Sequence, residues 1–469
     1  MSSSPILLND EQMRRFITEG FLILNADFPE AFHRAMTDEL SRVYEEEGNP
    51  GNNLLPRIRE IQQVFDHPVI TGALTSVLGP DYMLHAHRHG HYNAQPVAGG
   101  WHKDSYWGYS KMRNHHPWWA MVMYFPQDTP LELGPTGVMP GTQNYETRAF
   151  VPDETPGEAC ASGKAGTFAL IHYDIWHRST PNVLGNARYM LKFEFMRTAA
   201  PTAPSWNNQA ATWTEPAGLK LPIARHETMW EETWNWLSGS IGSLADSATA
   251  DGDQVEEHAK ALEDTFEPNA LNAAYELARY GERGIEELLK GLHHDRVDVS
   301  RLSAYGLSAA GPAAIDGLTE ALLSEREETV KHAAFALGEL RHLAESALPE
   351  LGRLLSHSSA SVRSTVAEAF GMIGGSSQGS VDELIRCLQD EDTQVRFTAG
   401  LSLSRLGSAA ASAVPALADA LEDDNRYVRA HALEALRYIG TEEAKDILIK
   451  SLFNARWCTT TTKANAFYP

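Results

Sequence analysis

Two fold classes follow one another along this chain. The first is α+β with a β-sandwich or barrel core, up to about residue 237, and the second is an all-α solenoid of stacked helical pairs. Three observations predict this. Ten of the eleven tryptophans precede residue 237. Before that point, helical patterns come first and short β-rich segments follow, the order of an α+β domain. Beyond residue 266, a unit of 30 to 33 residues repeats.

In chain order, "LNDEQMRRFITEG" offers a polar N-cap at Asn9 or Asp10, apolar Met13, Phe16 and Ile17, and Gly20 as a stop. "FLIL" then reads as a strand. Helical spacing recurs over 29–47 and over 60–78, the latter ending at Gly79-Pro80. From residue 82, strands are predicted at "YMLHAHRHGHYN", "WWAMVMYF", "GTFALIH" and "RYMLKFEFM", separated by Gly and Pro clusters. "WWAMVMYF" reads as sandwich core and His115-His116 as a loop pair. "HETMWEETWNWLSG" is a helix with Trp230 and Trp234 four apart, expected to pack against the core or the first repeat, with docking on the first repeats favoured.

Residues 238–257, rich in Gly, Ser, Ala and acid, read as a linker; 258–455 as the solenoid; 456–469 as a tail. The repeat starts are Asn269, Val299, Thr329, Val362, Val395 and Val428. Gly281, Gly311, Gly374, Gly407 and Gly440 each fall twelve residues on and end a helix. Pro312, Pro349 and Pro415 open the next one. A helical pair of this size cannot bury its own apolar stripe, so neighbours must stack. Units such as "VRSTVAEAFGMIGG" and "VRAHALEALRYIGT" resemble short HEAT repeats of the phycobilisome-lyase type, an architecture that serves many partners.

The bulk properties exclude several classes. A formal charge of −23 opposes general nucleic-acid binding. No run of about 18 apolar residues predicts a membrane span. The opening "MSSSPILLNDEQ" lacks the pattern of a signal peptide. Cys160, Cys387 and Cys458 form no CxxC pair, which argues against structural zinc or a disulfide framework and fits a reducing cytoplasm.

Two histidine patterns point to metal. In "MLHAHRHGHYN", His85, His87, His89 and His91 alternate along one strand face. Their span is about 20 Å at strand rise, whereas ligand atoms sit about 2 Å from a metal. A single straight strand therefore cannot close a site around all four. The row reads as a polar cavity wall, with substrate-binding or proton-handling imidazoles, His87 and His89 foremost, as the sharper alternative. The second pattern is H-x-D, which occurs at His102/Asp104, His172/Asp174 and His293/Asp295. On an extended segment both side chains face one way, and two histidines with one carboxylate leave open positions on iron(II). His172, Asp174 and His177 lie too close in sequence to come from opposed strands. His293, Asp295, His342 and Arg353 all lie in helical repeats. Only His102, Asp104, His177 and Arg188 span a β-rich region.

With "EQMRRFITEGFLIL", "GWHKD", "LGPTGVMPGTQ" and "WHRSTPNVLGNARYMLKFEF" in that order, residues 5–200 resemble the phytanoyl-CoA dioxygenase-like iron(II)/2-oxoglutarate oxygenases. The resemblance implies a double-stranded β-helix, or jelly roll, over a domain spanning 1–237. It implies iron(II) held by His102, Asp104 and His177, and 2-oxoglutarate held by Arg188 with Ser179, and with Asn93 at a co-substrate position. It implies reaction with O2 on a small-molecule substrate. Tyr106 and Trp107 follow the metal motif and are candidate substrate contacts. "LELGPTGVMPGTQ" lacks the family's usual Asn and His in this element. Asp104 favours hydroxylation, since related halogenases replace this carboxylate with a small residue. Alternatives are a protein hydroxylase whose repeats recruit a polypeptide, and an inactive binding or scaffold protein.

Overall fold

The structure is a computed structural model and describes residues 4–104, 112–151, 156–245, 247–248, 252–374 and 378–454. The chain divides into two compact units that part between Gly239 and Ser240.

The first unit opens with α1 (Asp10–Glu19). Asn9 and Gln12 form a reciprocal capping box, and Gly20 closes the helix at φ 79°. Strand β1 (Phe21–Asn25) follows, then α2 (Glu30–Glu47) and α3 (Leu54–Arg57). The helix expected over 60–78 is two helices, α4 (Glu60–Phe65) and α5 (Pro68–Leu78). Pro68 explains the break: it lacks an N–H and disfavours helical geometry in the residue before it, and it starts α5 in the first turn.

Among the described residues there are eight strands: β1, β2 (Met83–Asn93), β3 (Trp119–Tyr124), β4 (Thr136–Val138), β5 (Ala159–Cys160), β6 (Thr167–His172), β7 (His177–Ser179) and β8 (Arg188–Met196); β1, β2, β3, β6 and β8 lie where the sequence predicts strands, and the short β4, β5 and β7 lie outside those segments. They form a five-stranded antiparallel sheet, β1-β6-β3-β8-β2, and a three-stranded sheet, β5-β4-β7. Every residue of β3, β6 and β8 is buried, so this sheet is covered on both faces. One face of β8 is aromatic and apolar and meets the helices: Phe193 stacks on Phe65 of α4 at 4.3 Å, and Tyr189 meets Tyr44 of α2 at 5.5 Å. The alternate residues, Arg188, Met190, Lys192 and Glu194, face the other way, as strand geometry requires.

Helix α6 (Glu227–Leu237) ends this unit. Its tryptophans pack into the core of the first unit, one of the two surfaces expected for them. Trp234 packs on Trp206 and Trp213, and Trp236 on Trp118 and His116. All three of Trp230, Trp234 and Trp236 are at most 1% exposed. The His115-His116 pair lies in a loop, as expected, and that loop is buried with them; His116 Nε2 lies 2.8 Å from Glu232 Oε2. The reason is local: two imidazoles beside an indole-rich helix exclude water, and Glu232 supplies the partner that burial demands.

In the second unit, a helix runs from Gly252 to Ala261, so it begins inside the expected linker, 238–257, and ends in the expected solenoid. The first helices of the six repeats are Glu267–Ala278, Val297–Ala310, Glu327–Glu339, Ala360–Ile373, Thr393–Leu406 and Arg426–Ile439. Each starts two residues before the position read from the sequence. Gly311, Gly374, Gly407 and Gly440 end four of them with positive φ. The repeat beginning at Thr329 has no glycine in that register, and Arg341 takes the same left-handed conformation at φ 57°. Charge clasps link successive repeats. Arg363 forks onto Asp390 at 2.8 Å, and Arg396, 33 residues on, binds Asp423 while donating to the Asp390 carbonyl. No helix among the described residues is long and apolar enough to cross a membrane.

Candidate metal centre

The site begins with a backbone pairing. His102 and His177 are joined by an antiparallel bridge, each amide donating to the other's carbonyl at 3.0 Å. Directly opposed residues in such a pair project from the same face. Asp104, two residues on in an extended segment, shares that face. The result is one cluster in which the ligand atoms of His102, Asp104 and His177 lie within 4.8 Å of one another. Among the described residues no other set of three His, Cys, Asp or Glu does so. The close approach has a local cause at Gly99: its amide donates to the Ser179 carbonyl, and a Cβ there would lie 2.6 Å from Ser179 Oγ.

Both imidazoles are oriented for a metal. His102 Nδ1 faces the Gly100 carbonyl at 2.9 Å and His177 Nδ1 faces that of Ile175 at 3.0 Å. With the proton on Nδ1, each Nε2 carries the lone pair. Burial lowers His177 to about 4, against the opposing pull of Asp104, so the ring is neutral at physiological pH. Burial alone would raise the Asp104 carboxyl, but Lys192, His177 and His102 outweigh it and hold the group far below the usual carboxylate range. Two imidazoles and one carboxylate, clustered and part-buried, are the donor set that suits iron(II).

Around this centre the larger sheet presents its polar face. Cross-strand register pairs Asn93 with Arg188, His91 with Met190 and His89 with Lys192. His85 and His87 lie 3.5 and 3.7 Å from the oxygens of Glu194, which is 2% exposed. The row His85–His91 thus lies on the same face as Arg188 and Lys192, and none of its members joins the metal cluster. Arg188 is 2% exposed; its Nε donates to the Gly134 carbonyl at 3.0 Å, and its Nη1 is buried without an acceptor. It has no ion pair among the described residues. A buried guanidinium without a counter-charge is a site for a carboxylate. Asn93 Nδ2, beside it, is also buried without a partner. Ser179 alternates with His177 along β7. Tyr106 and Trp107 lie outside the described residues.

The competing H-x-D pairs are engaged elsewhere. Asp174 is 1% exposed and pairs with Arg113 at 2.8 Å; Asp295 pairs with Arg326 in the second unit. Three residues at the site were not singled out from the sequence. Arg113 donates to the backbone carbonyl of Asp104 at 3.0 Å and so ties the metal segment to Asp174. Glu194 partners the histidine row. Lys192, 5% exposed, places Nζ 2.6 Å from Asp104 Oδ2. The signal for the last two was present in "RYMLKFEFM": Lys192 and Glu194 follow Arg188 at even spacing, on its own strand face, within an otherwise apolar strand.

Comparison with known proteins agrees on the class of each region. Residues 20–189 match the phytanoyl-CoA dioxygenase (PhyH) family, and residues 324–404 and 381–457 match HEAT repeats. Among solved structures, HygX from Streptomyces hygroscopicus with nickel and 2-oxoglutarate bound aligns at 13% identity. The alignment covers 46% of this chain and 97% of that one, at a TM-score of 0.34. SnoK, a non-heme alpha-ketoglutarate-dependent carbocyclase from nogalamycin biosynthesis, aligns at 16% over 42% and 88%, at 0.34. An engineered protein aligns at 24% over 39% and 96%, at 0.30. No curated protein matches the chain. The chain therefore joins a phytanoyl-CoA dioxygenase family domain to a set of C-terminal HEAT repeats.

Proposed function

We propose that the first unit is an iron(II)- and 2-oxoglutarate-dependent oxygenase that hydroxylates an unactivated C–H bond of a small molecule. In this reading its two sheets are the two faces of a double-stranded β-helix. The observation that carries it is the convergence of His102, Asp104 and His177, with Arg188 held buried and uncompensated on the facing sheet. His102, Asp104 and His177 would hold the iron. Arg188, with Ser179 and Asn93, would receive the far carboxylate of 2-oxoglutarate. Iron(II) and this co-substrate, when bound, supply the redox chemistry that activates O2. The chain's own residues do the rest. Nδ1 contacts to backbone carbonyls fix both ring orientations, Arg113 fixes the Asp104 backbone, and Asp104 would supply the carboxylate ligand that related halogenases lack. His87 and His89 would line the substrate side. The test is incubation of iron-loaded protein with 2-oxoglutarate, O2 and a metabolite library. Succinate release coupled to a one-oxygen mass gain is expected, and both should vanish in His177→Ala. Succinate release without any product mass change across substrates would refute hydroxylation. The HEAT repeats favour one competing reading, a polypeptide substrate, and a mass gain on a protein in place of a metabolite would select it.

A further inference from the structure

Asp104 has two oxygens, and one of them is contested. Oδ2 is the oxygen 3.5 Å from His177 Nε2, so it is the one turned toward the position a metal shared with His177 would take. The same Oδ2 lies 2.6 Å from Lys192 Nζ. At that distance the ammonium and the carboxylate form a charge-assisted pair. Lys192 has no other ion pair among the described residues, and its side chain is 6% exposed. A buried ammonium needs a counter-charge, and here that charge is a metal ligand.

We propose that Lys192 is a place-holder cation: in the metal-free protein its ammonium neutralises Asp104, and a metal ion must displace it from Oδ2. This rests on the metal reading given above. Neighbouring groups define what surrounds the ammonium. On its own strand face stand Arg188 and Glu194, and across β2 stand His89 and, in register with Met190, His91. β3 contributes Met123, its register partner, which carries no charge. Glu194, two residues along the same strand face and already beside His85 and His87, would receive the displaced ammonium. The device makes the apo site stable without metal, at the expense of metal affinity: a group that stabilises only the unliganded state opposes the ligand by the same amount. Lys192 is thus a positioning residue that sets affinity, not a catalytic one.

The experiment uses the full chain, stripped with chelator and titrated with manganese(II), read by loss of the free-ion EPR signal. Lys192→Met should bind manganese about tenfold more tightly than the parent, as expected when a cation a few ångströms from the metal is removed. Its metal-free form should melt lower than the parent, with the gap narrowing when manganese is bound. Lys192→Arg, which keeps the charge, should bind like the parent. Should Lys192→Met be insoluble, Lys192→Gln carries the same expectation. Unchanged or weaker binding in the neutral variant overturns the inference alone. Equal loss of melting temperature with and without metal does the same, because it shows simple packing. Parent affinity that survives His177→Ala overturns the metal reading, and the inference with it.

Discussion

Arg188→Met tests the proposed co-substrate site most directly, because the structure predicts opposite effects on binding and on folding. The guanidinium is 2% exposed and makes one hydrogen bond, from Nε to the Gly134 carbonyl, while Nη1 has no acceptor. Burial lowers its pKa to about 10, so it stays protonated at neutral pH. Without co-substrate it is a buried charge lacking a counter-ion, which a volume-matched apolar side chain replaces at little cost or with a gain. Methionine loses the Gly134 bond, worth about 1 kcal/mol, and removes the charge penalty, so the melting temperature should hold or rise. With co-substrate the balance reverses. A charge-assisted pair to a carboxylate contributes about 1.5–3 kcal/mol, so the apparent constant for 2-oxoglutarate should rise roughly 10- to 150-fold. Succinate formation against 2-oxoglutarate concentration reads the constant, and thermal melting of the metal-loaded protein with and without 2-oxoglutarate reads the coupling. A constant within about twofold of the parent, or a melting temperature that collapses without co-substrate, would refute the reasoning.

Three further outcomes are expected. Elemental analysis of iron-loaded protein should give close to one metal per chain, and His87→Ala/His89→Ala should leave that number unchanged; a second equivalent lost in the double variant would make the row a metal site. In the second unit, His332 is 4% exposed, lies 2.8 Å from Ser300 Oγ and is lowered by burial to about 3. Its folded pKa lies below the unfolded value, so the unfolded chain takes the proton first and stability falls as pH drops from about 6.5 toward 3. Between pH 7.5 and 5 that is about 2 kcal/mol, and denaturant unfolding of His332→Gln should show an acid loss smaller by that amount. Trp234→Ala removes a fully buried ring from between Trp206 and Trp213 and should cost about 3–5 kcal/mol in the first unit's unfolding. A cost under about 1 kcal/mol would mean that the helix is not part of that core.

What the sequence determined by itself is whatever depends on local periodicity. The six repeats were placed with a constant offset of two residues, because 3.6-residue spacing and a terminal glycine are local signals. The histidine-aspartate pair was legible because alternation on a strand puts residues 102 and 104 on one face wherever the strand goes. Proximity across the chain was decided only by tertiary structure. The bridge between His102 and His177 turns a motif and a distant histidine into one cluster, although resemblance to a family had already paired them. The split at Pro68 is also a local signal, since proline disfavours helical geometry in the residue before it. The place of the α6 tryptophans did not follow from their spacing, since an apolar stripe does not name the surface it covers. Lys192 shows the same limit at the site itself. A lysine in an apolar strand announces that it needs a buried counter-charge, but only the tertiary packing shows that this charge is the Asp104 oxygen that also lies beside His177.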